Sequence, residues 1–87
     1  MSEETLLEFP CDFPIKIIGL NQAGYAQAVL DVVMLHAPGF DSASMEMRPS
    51  GKNKYLSLTC SVRATSKAQL DALYLALTGH PLVKMVL

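Results

Sequence analysis

The order of hydrophobic patterns constrains the fold of this chain more than any other feature. Within 87 residues, period-two stretches typical of strands alternate with stretches of helical spacing, in the order strand–helix–strand–strand–helix–strand. A chain of this length forms one domain around one core. The patterns predict strands over residues 13–20, 43–48, 56–64 and 82–87, and helices over residues 21–37 and 66–78.

The second half of the chain carries the clearest local signals. Residues 56–64 alternate strictly between apolar and polar side chains, as a half-buried strand does. Residues 43–48 alternate as well, and the loop at residues 49–53, which contains proline and glycine, joins the two stretches into a β-hairpin. Ser66 and Gln69 form a capping-box pattern, which predicts the start of the second helix.

The element order also predicts the topology. Each helix lies between strands that need a crossover connection, and such crossovers are right-handed in nearly all cases. Two crossovers interleaved with a hairpin predict an α+β fold, the ferredoxin-like βαββαβ sandwich. In this fold a four-stranded antiparallel sheet of order 4-1-3-2 carries both helices on one face and is open on the other. Residues 13–87 form this domain, and we expect residues 1–12 to be a lead-in segment packed on it.

Alternation along the strands predicts which side chains lie on the open face of the sheet. It places there four basic residues, one acidic residue (Glu46), a row of hydroxyl groups, and the apolar residues Ile18 and Val86. We predict that this face binds an acidic surface of a protein partner or a second subunit, because complementary charge favours such docking. A face that is only solvated is the alternative. The predicted partner-binding residues are Lys16, Arg48, Ser57, Thr59, Ser61, Arg63 and Lys84.

The composition and the edges of the sheet favour self-association. Charged residues make up only 17% of the chain, which leaves much uncharged surface. The strands at residues 43–48 and 82–87 are both edge strands, whose backbone groups are open to pairing. We therefore expect a homodimer. The net charge of -1 and the lack of aromatic residues along the middle of the sheet disfavour nucleic acid as a partner.

The chain lacks the motifs of enzymes and metal proteins. It contains no Gly-x-Ser-x-Gly, no His-Glu-x-x-His and no glycine-rich phosphate loop, and its acidic residues do not pair at acid–base spacings. Its cysteines and histidines follow no recognised ligand spacing. We expect no enzymatic activity, no catalytic residues, no metal and no cofactor. His36, in the last turn of the first helix, is expected to cap carbonyl groups there.

The start of the chain and its lack of long apolar runs bear on its compartment and on the state of its two cysteines. The chain shows no secretory signal and no apolar run long enough to cross a membrane, so we expect a cytoplasmic protein without membrane association. Both thiols should then stay reduced. Cys60 falls on the inward side of its strand and is predicted to be a core residue, whereas Cys11 lies in the lead-in segment.

Several stretches resemble a known family when they are taken together. They are Leu-Leu-Glu-Phe-Pro at residues 6–10, the first strand with its glycine at residue 19, His-Ala-Pro-Gly at residues 36–39, and Val-Lys-Met-Val-Leu at residues 83–87. In these features, and over essentially its whole length, the chain resembles the YbeD family of small bacterial proteins. The resemblance implies a ferredoxin-like fold similar to ACT regulatory domains, which bind amino acids and related effectors at subunit interfaces. That family has no established biochemical role.

The likeness to ACT domains draws attention to the turn between the first strand and the first helix. ACT domains usually carry an Asp-x-Pro-Gly-like turn there, which directs backbone N–H groups at a helix N-terminus towards a ligand carboxylate. In this chain Gly24 matches the glycine, but the acidic residue and the proline are absent. The candidate ligand-binding residues are therefore Asn21, Gln22 and Gly24. Simple capping of the first helix by Asn21 is the alternative.

These observations predict a small regulatory or adaptor domain that is not an enzyme and acts by protein–protein binding. The alternative is a sensor of a small ligand, such as an amino acid or a carboxylate, at the turn between the first strand and the first helix. The first hypothesis uses the open face of the sheet, and the second uses the turn at residues 21–24.

Overall fold

The computed structural model describes residues 8–87, which form a four-stranded antiparallel sheet and two helices. The strands are β1 (Cys11–Leu20), β2 (Glu46–Ser50), β3 (Tyr55–Ala64) and β4 (Val83–Val86); the helices are α1 (Tyr25–His36) and α2 (Lys67–Thr78), and a short 3-10 turn covers Ser42–Ser44. The sheet order is β2-β3-β1-β4, which is the predicted order 4-1-3-2 read from the other edge. The ferredoxin-like topology is therefore confirmed.

Strand β1 begins at Cys11, two residues earlier than predicted. The prolines around this point obscure the strand pattern, because proline has no N–H to donate. Strand β1 tolerates Pro14 because the backbone at this position faces away from β3. Lys16, two residues later, exchanges both of its backbone hydrogen bonds with Leu87, at 3.1 and 2.8 Å. Alternate residues of β1, including Pro14, therefore turn their backbone polar groups away from β3, so that no bond to β3 is lost.

The predicted lead-in segment is described only in part. Phe9 is half-buried and packs against the core cluster. Residues 1–7, with the other apolar side chains of that segment, lie outside the described residues. The packing of residues 1–12 as a whole stays a prediction.

Helix α1 begins at Tyr25, four residues later than predicted, and its N-cap is Gly24. Gly24 has a φ of 86°, a conformation that glycine adopts without steric penalty. The side-chain amide of Asn21 instead donates a hydrogen bond to the carbonyl of Asn53 at 3.1 Å. Its backbone N–H donates to the carbonyl of Lys54 at 2.8 Å. The prediction of Asn21 as the helix cap is therefore wrong, since Asn21 ties the β1–α1 turn to the β2–β3 turn.

Strand β2 begins three residues later than predicted, at Glu46. Ala43 lies in the 3-10 turn, where its N–H donates to the side chain of Asp41 at 3.0 Å. Strand β2 also continues through Pro49 and Ser50, which were predicted to lie in the hairpin turn. The turn itself contains three consecutive residues with positive φ, namely Gly51, Lys52 and Asn53.

All five residues of β2 are exposed, on both faces of the sheet. Met47 faces Leu58 of β3 and was predicted to point inward, but it is 59% exposed. The reason is that the helices pack mainly against β1, β3 and β4, so the helix layer does not cover β2. This edge strand belongs to the sheet without belonging to the core.

The core lies between the sheet and the helices. Its fully buried side chains come from β1, β3, α1 and α2, and the largest are Tyr25, Ile15, Ile17, Leu58, Leu73, Leu77, Val29, Val33, Val62 and Cys60. Cys60 is thus confirmed as a core residue. The hydroxyl of Tyr25 donates to the carbonyl of Ile17 at 3.1 Å. Burial raises the pKa of Tyr25 to about 12, with a smaller contribution from nearby Cys60, and burial raises the pKa of Cys60 to about 11.

Helix α2 begins as predicted but with a different partner for Gln69. The hydroxyl of Ser66 accepts a hydrogen bond from the N–H of Gln69 at 3.1 Å, as a capping box requires. The side chain of Gln69, however, accepts from the N–H of Thr65 at 2.6 Å rather than from Ser66. Its amide group also donates to the carbonyls of His36, at 2.9 Å, and Arg63, at 3.3 Å. One amide therefore joins the end of α1, the end of β3 and the start of α2.

Candidate protein-binding face

The sheet face opposite the helices is uncovered, and the strand registers show which side chains it carries. One cross-strand row joins Lys16 of β1, Thr59 of β3 and Glu46 of β2. The neighbouring row joins Ile18, Ser57 and Arg48 in the same strand order. The polar members of both rows surround a depression of about 290 Å³ in the open face, lined by Lys16, Glu46, Arg48, Ser57 and Thr59. Four of the seven predicted partner-binding residues therefore lie around one depression.

The remaining predicted residues lie outside this depression. Ser61 faces Pro14 on the open side of the sheet and is exposed. Arg63 lies one row further along β3 and forms an ion pair with Asp12 at 3.3 Å, in which both side chains are largely exposed. Such an exposed pair contributes at most about 1 kcal/mol to stability, and usually less.

The open face is less basic than predicted. Because β1 begins at Cys11, Asp12 joins the strand and lies opposite Arg63. The registers place three basic residues on this face, Lys16, Arg48 and Arg63, against two acidic residues, Asp12 and Glu46. The prediction of a single acidic residue on this face is therefore wrong, because Asp12 is a second one. What remains is a local pair of cations at the depression.

A register shift in β4 overturns part of the prediction for that strand. Val83 faces Gly19 and Met85 faces Ile18, so Lys84 is an extra residue with no partner on β1. After this bulge Val86 faces Ile17 on the core side, where it packs against the core. The placement of Val86 on the open face by simple alternation is therefore wrong, whereas the placement of the exposed Lys84 there stays a prediction.

The bulge puts two apolar side chains on the open face that the sequence analysis did not place there. Met85 lies beside Ile18, and Leu87 exchanges two backbone hydrogen bonds with Lys16. Met85 is 52% exposed and Leu87 is 61% exposed. They extend the two cross-strand rows at the edge opposite β2, so the face is charged along β2 and apolar along β4. A β-bulge leaves no reliable signal in a single sequence, since alternation assumes an unbroken register.

The candidate ligand-binding turn lies beyond the end of β1 that is paired with Tyr55. Asn21, Gln22 and Gly24 are all exposed. The side-chain amide and the N–H of Asn21 already donate to the β2–β3 turn, and the carbonyl of Gln22 accepts from the N–H of Tyr25 at 3.2 Å. Two of the N–H groups of Asn21 are thus already engaged within the fold. The turn does not contribute to the depression on the sheet.

A second depression of about 360 Å³ lies at the other end of the fold. It is lined by the stretch from His36 to Phe40, which includes the His-Ala-Pro-Gly motif, and by Arg63, Thr65 and Gln69. The amide of Gln69 holds its two sides together, since it bonds the backbone of both His36 and Arg63. This site was not predicted, because it forms only when the ends of α1 and β3 meet.

The metal-ligating residues, the helices and the thiols within residues 8–87 bear on other kinds of site. This part of the chain contains no group of three or more His, Cys, Asp or Glu residues that could hold a metal ion. None of its helices is long and apolar enough to span a bilayer. Cys11 and Cys60 are both free thiols. Cys60 faces Ile15, four residues along β1 from Cys11, a separation of about 13 Å that a disulfide cannot bridge.

The fold defines the class of protein. The solution structure of protein HP0495 from H. pylori is similar to this chain with a TM-score of 0.68 at 15% identity, and the match covers 93% of this chain and 85% of that chain. The crystal structure of the ACT domain from GTP pyrophosphokinase of Chlorobium tepidum is similar with a TM-score of 0.60 at 20% identity, over 88% of this chain and 97% of that chain. The chain is therefore an ACT-like domain in its fold.

The sequence comparisons then give the family. Residues 4–87 match the family described as "Protein of unknown function (DUF493)". A UPF0250 protein of Nitrosomonas europaea is 55% identical over 87 residues, which is the whole of both chains. A UPF0250 protein of Bordetella pertussis is 56% identical over 85 residues, 98% of this chain and 93% of that relative. The chain belongs to this family, and the resemblance to the YbeD family is confirmed.

Proposed function

We propose that this protein is a regulatory or adaptor domain without enzymatic activity and that it acts by protein–protein binding through the open face of its sheet. The observation that carries the proposal is the uncovered depression around Thr59, where Lys16 and Arg48 flank two hydroxyl groups next to the exposed apolar side chains of β4. Protein interfaces commonly combine such an apolar part with a polar rim.

The two cations at the depression indicate that the partner presents an acidic group there. Lys16 and Arg48 are exposed, and neither forms an ion pair with another described residue. A carboxylate of the partner at this point gains a charge-assisted contact without displacing an existing one. We place this binding in the cytoplasm, where two free and distant thiols remain reduced.

The test uses the full chain as bait in affinity capture from a lysate of its own organism. The double variant Lys16→Glu with Arg48→Glu reverses the charge of the depression, and we expect it to lose the proteins that the unmodified chain captures. Lys52→Glu with Lys54→Glu is the matched control, because it makes the same charge change at exposed sites in the β2–β3 turn, outside the depression. Retention of the same proteins by the first variant, at unchanged stability, would refute binding through this face.

The second candidate function is a sensor of a small ligand at residues 21–24. It is supported by the similarity in fold to an ACT domain and by the exposure of Gln22 and Gly24. Amino acids and small carboxylates should then raise the melting temperature by mass action. At about 10 mM, even a ligand with a dissociation constant of about 1 mM should raise the melting temperature. An unchanged melting temperature with every ligand at this concentration argues against this function.

A further inference from the structure

We propose that the open face binds a second copy of this chain, with the two sheets packed face to face. The two-fold axis lies between the two sheets and parallel to them, and it crosses the strands at right angles at the level of Ile17 and Leu58. The inference rests on the proposed function, since it names the partner of the same face. It follows from the two cross-strand rows on that face, which are complementary to each other.

The first row reads Leu87, Lys16, Thr59 and Glu46 from β4 to β2. The second row reads Met85, Ile18, Ser57 and Arg48 in the same direction. An axis between the rows lays the first row of one copy over the second row of the other. Each strand then meets its own equivalent running in the opposite direction, which is the isologous arrangement of a two-fold dimer.

The charged column of this contact lies on β2. Glu46 and Arg48 stand two residues apart on one strand, about 7 Å along its axis, and both are exposed. Within residues 8–87 neither has an ion-pair partner. In the dimer Glu46 of each copy meets Arg48 of the other, so two reciprocal ion pairs form. Packed sheets are rotated by about 30°, and these long side chains span the resulting offset at the edge of the sheet.

The other columns are compatible with the same axis. At the β4 edge, Met85 of each copy meets Leu87 of the other, which removes exposed apolar side chains from water. On β3, Ser57 meets Thr59, and their hydroxyl groups can donate and accept in either direction. On β1, Ile18 meets Lys16, whose aliphatic stem packs on apolar surface while its ammonium stays hydrated. No column brings two like charges together.

The size of the face indicates a weak dimer. Four strands at about 4.8 Å spacing, with β1 and β3 of ten residues each as the longest, cover at most about 650 Å² on each copy. The total of about 1,300 Å² is at the lower end of the range for specific interfaces. We therefore expect dissociation constants of the order of 100 µM, in the range of transient complexes.

The test is sedimentation velocity of the full chain from about 20 µM to about 1 mM, which brackets the expected constant. Arg48→Glu and Glu46→Arg each replace attraction by repulsion, and each should weaken the dimer by at least about tenfold. The double variant Glu46→Arg with Arg48→Glu exchanges the two charges, and it should restore association to within about threefold of the unmodified chain. Lys52→Glu, a matched charge change in the β2–β3 turn, should leave association unchanged.

Three results would overturn the inference. One is a monomer at every concentration, and another is a dimer that Arg48→Glu does not weaken. The third is a double variant that associates no better than either single variant. A monomer that still captures a protein through Lys16 and Arg48 would leave the proposed function standing while refuting the second copy as its partner. Failure of both experiments would refute the function of the face itself.

Discussion

Gly19 provides the sharpest test of how the helices are fixed on the sheet. A side-chain carbon at this position would lie 2.5 Å from the Tyr25 ring and would also clash with the carbonyl of Leu82. Leu82 supplies a backbone atom and Tyr25 is fully buried, so neither can move away at small cost. Gly19→Ala should therefore displace the Tyr25 ring, whose hydroxyl bonds the carbonyl of Ile17 at 3.1 Å.

The expected magnitude follows from these contacts. Overpacking a core costs about 1–3 kcal/mol, and loss of the Tyr25 hydrogen bond adds about 1 kcal/mol. The free energy of unfolding should thus fall by about 2–4 kcal/mol, out of roughly 4–13 kcal/mol for a domain of this size. The melting temperature should fall by about 8–30 °C, since each kcal/mol corresponds to roughly 4–8 °C in a small domain.

Urea unfolding of the two proteins measures this difference, with Gly39→Ala as the matched control. A side-chain carbon at Gly39 meets no atom within 4 Å, so that variant should stay within about 0.5 kcal/mol of the unmodified chain. If Gly19→Ala is as stable as the control variant, the close approach of β1, Tyr25 and Leu82 does not limit the packing, and the reasoning fails.

Two further predictions concern stability. The pKa values of Tyr25 and Cys60 rise to about 12 and about 11, from 10.0 and 9.0, because burial disfavours their charged forms. Both groups stay neutral in the folded protein up to a higher pH than in the unfolded chain. Stability is therefore full below the pKa of the unfolded chain, and it is lost as the pH rises towards the pKa of the folded protein. The free energy of unfolding should therefore fall steadily between about pH 9 and pH 12, by up to about 3 kcal/mol for each group. Urea titrations at fixed pH values across this window measure the fall. A flat profile would show that the reasoning is wrong. Ser66→Ala removes the acceptor for the N–H of Gln69, and should cost about 1 kcal/mol in urea unfolding, whereas Ser61→Ala on the exposed side of β3 should cost less than about 0.5 kcal/mol; equal losses would refute the capping role.

The topology was predictable because many residues carry the same pattern in each helix and in β3. A single exception therefore does not change which element the pattern predicts. Leu58, Cys60 and Val62 are buried in the structure, as alternation requires. The same rule failed on β4, where the single extra residue Lys84 exchanges the faces of every residue after it. Sequence alternation carries no information about where a register shifts.

The candidate site was only partly predictable for a related reason. Lys16, Arg48, Ser57 and Thr59 lie where alternation placed them, because the pairing of β1, β3 and β2 is unbroken around them. Asp12 was missed because the neighbouring prolines obscure the start of β1. The exposure of Met47 was missed because it depends on how far the helix layer extends across the sheet, which is a property of tertiary packing.

Because β2 is exposed on both faces, it contributes to the surface of the protein without contributing to the core. Substitutions at Glu46, Met47 or Arg48 remove no core contacts, so the free energy of unfolding should change by no more than about 0.5 kcal/mol. On β1 and β3 only the outward face is free in this way, because inward residues such as Ile15 and Leu58 are buried in the core. Under the proposed function, the hairpin edge is a part of the open face where specificity can change without a cost in folding.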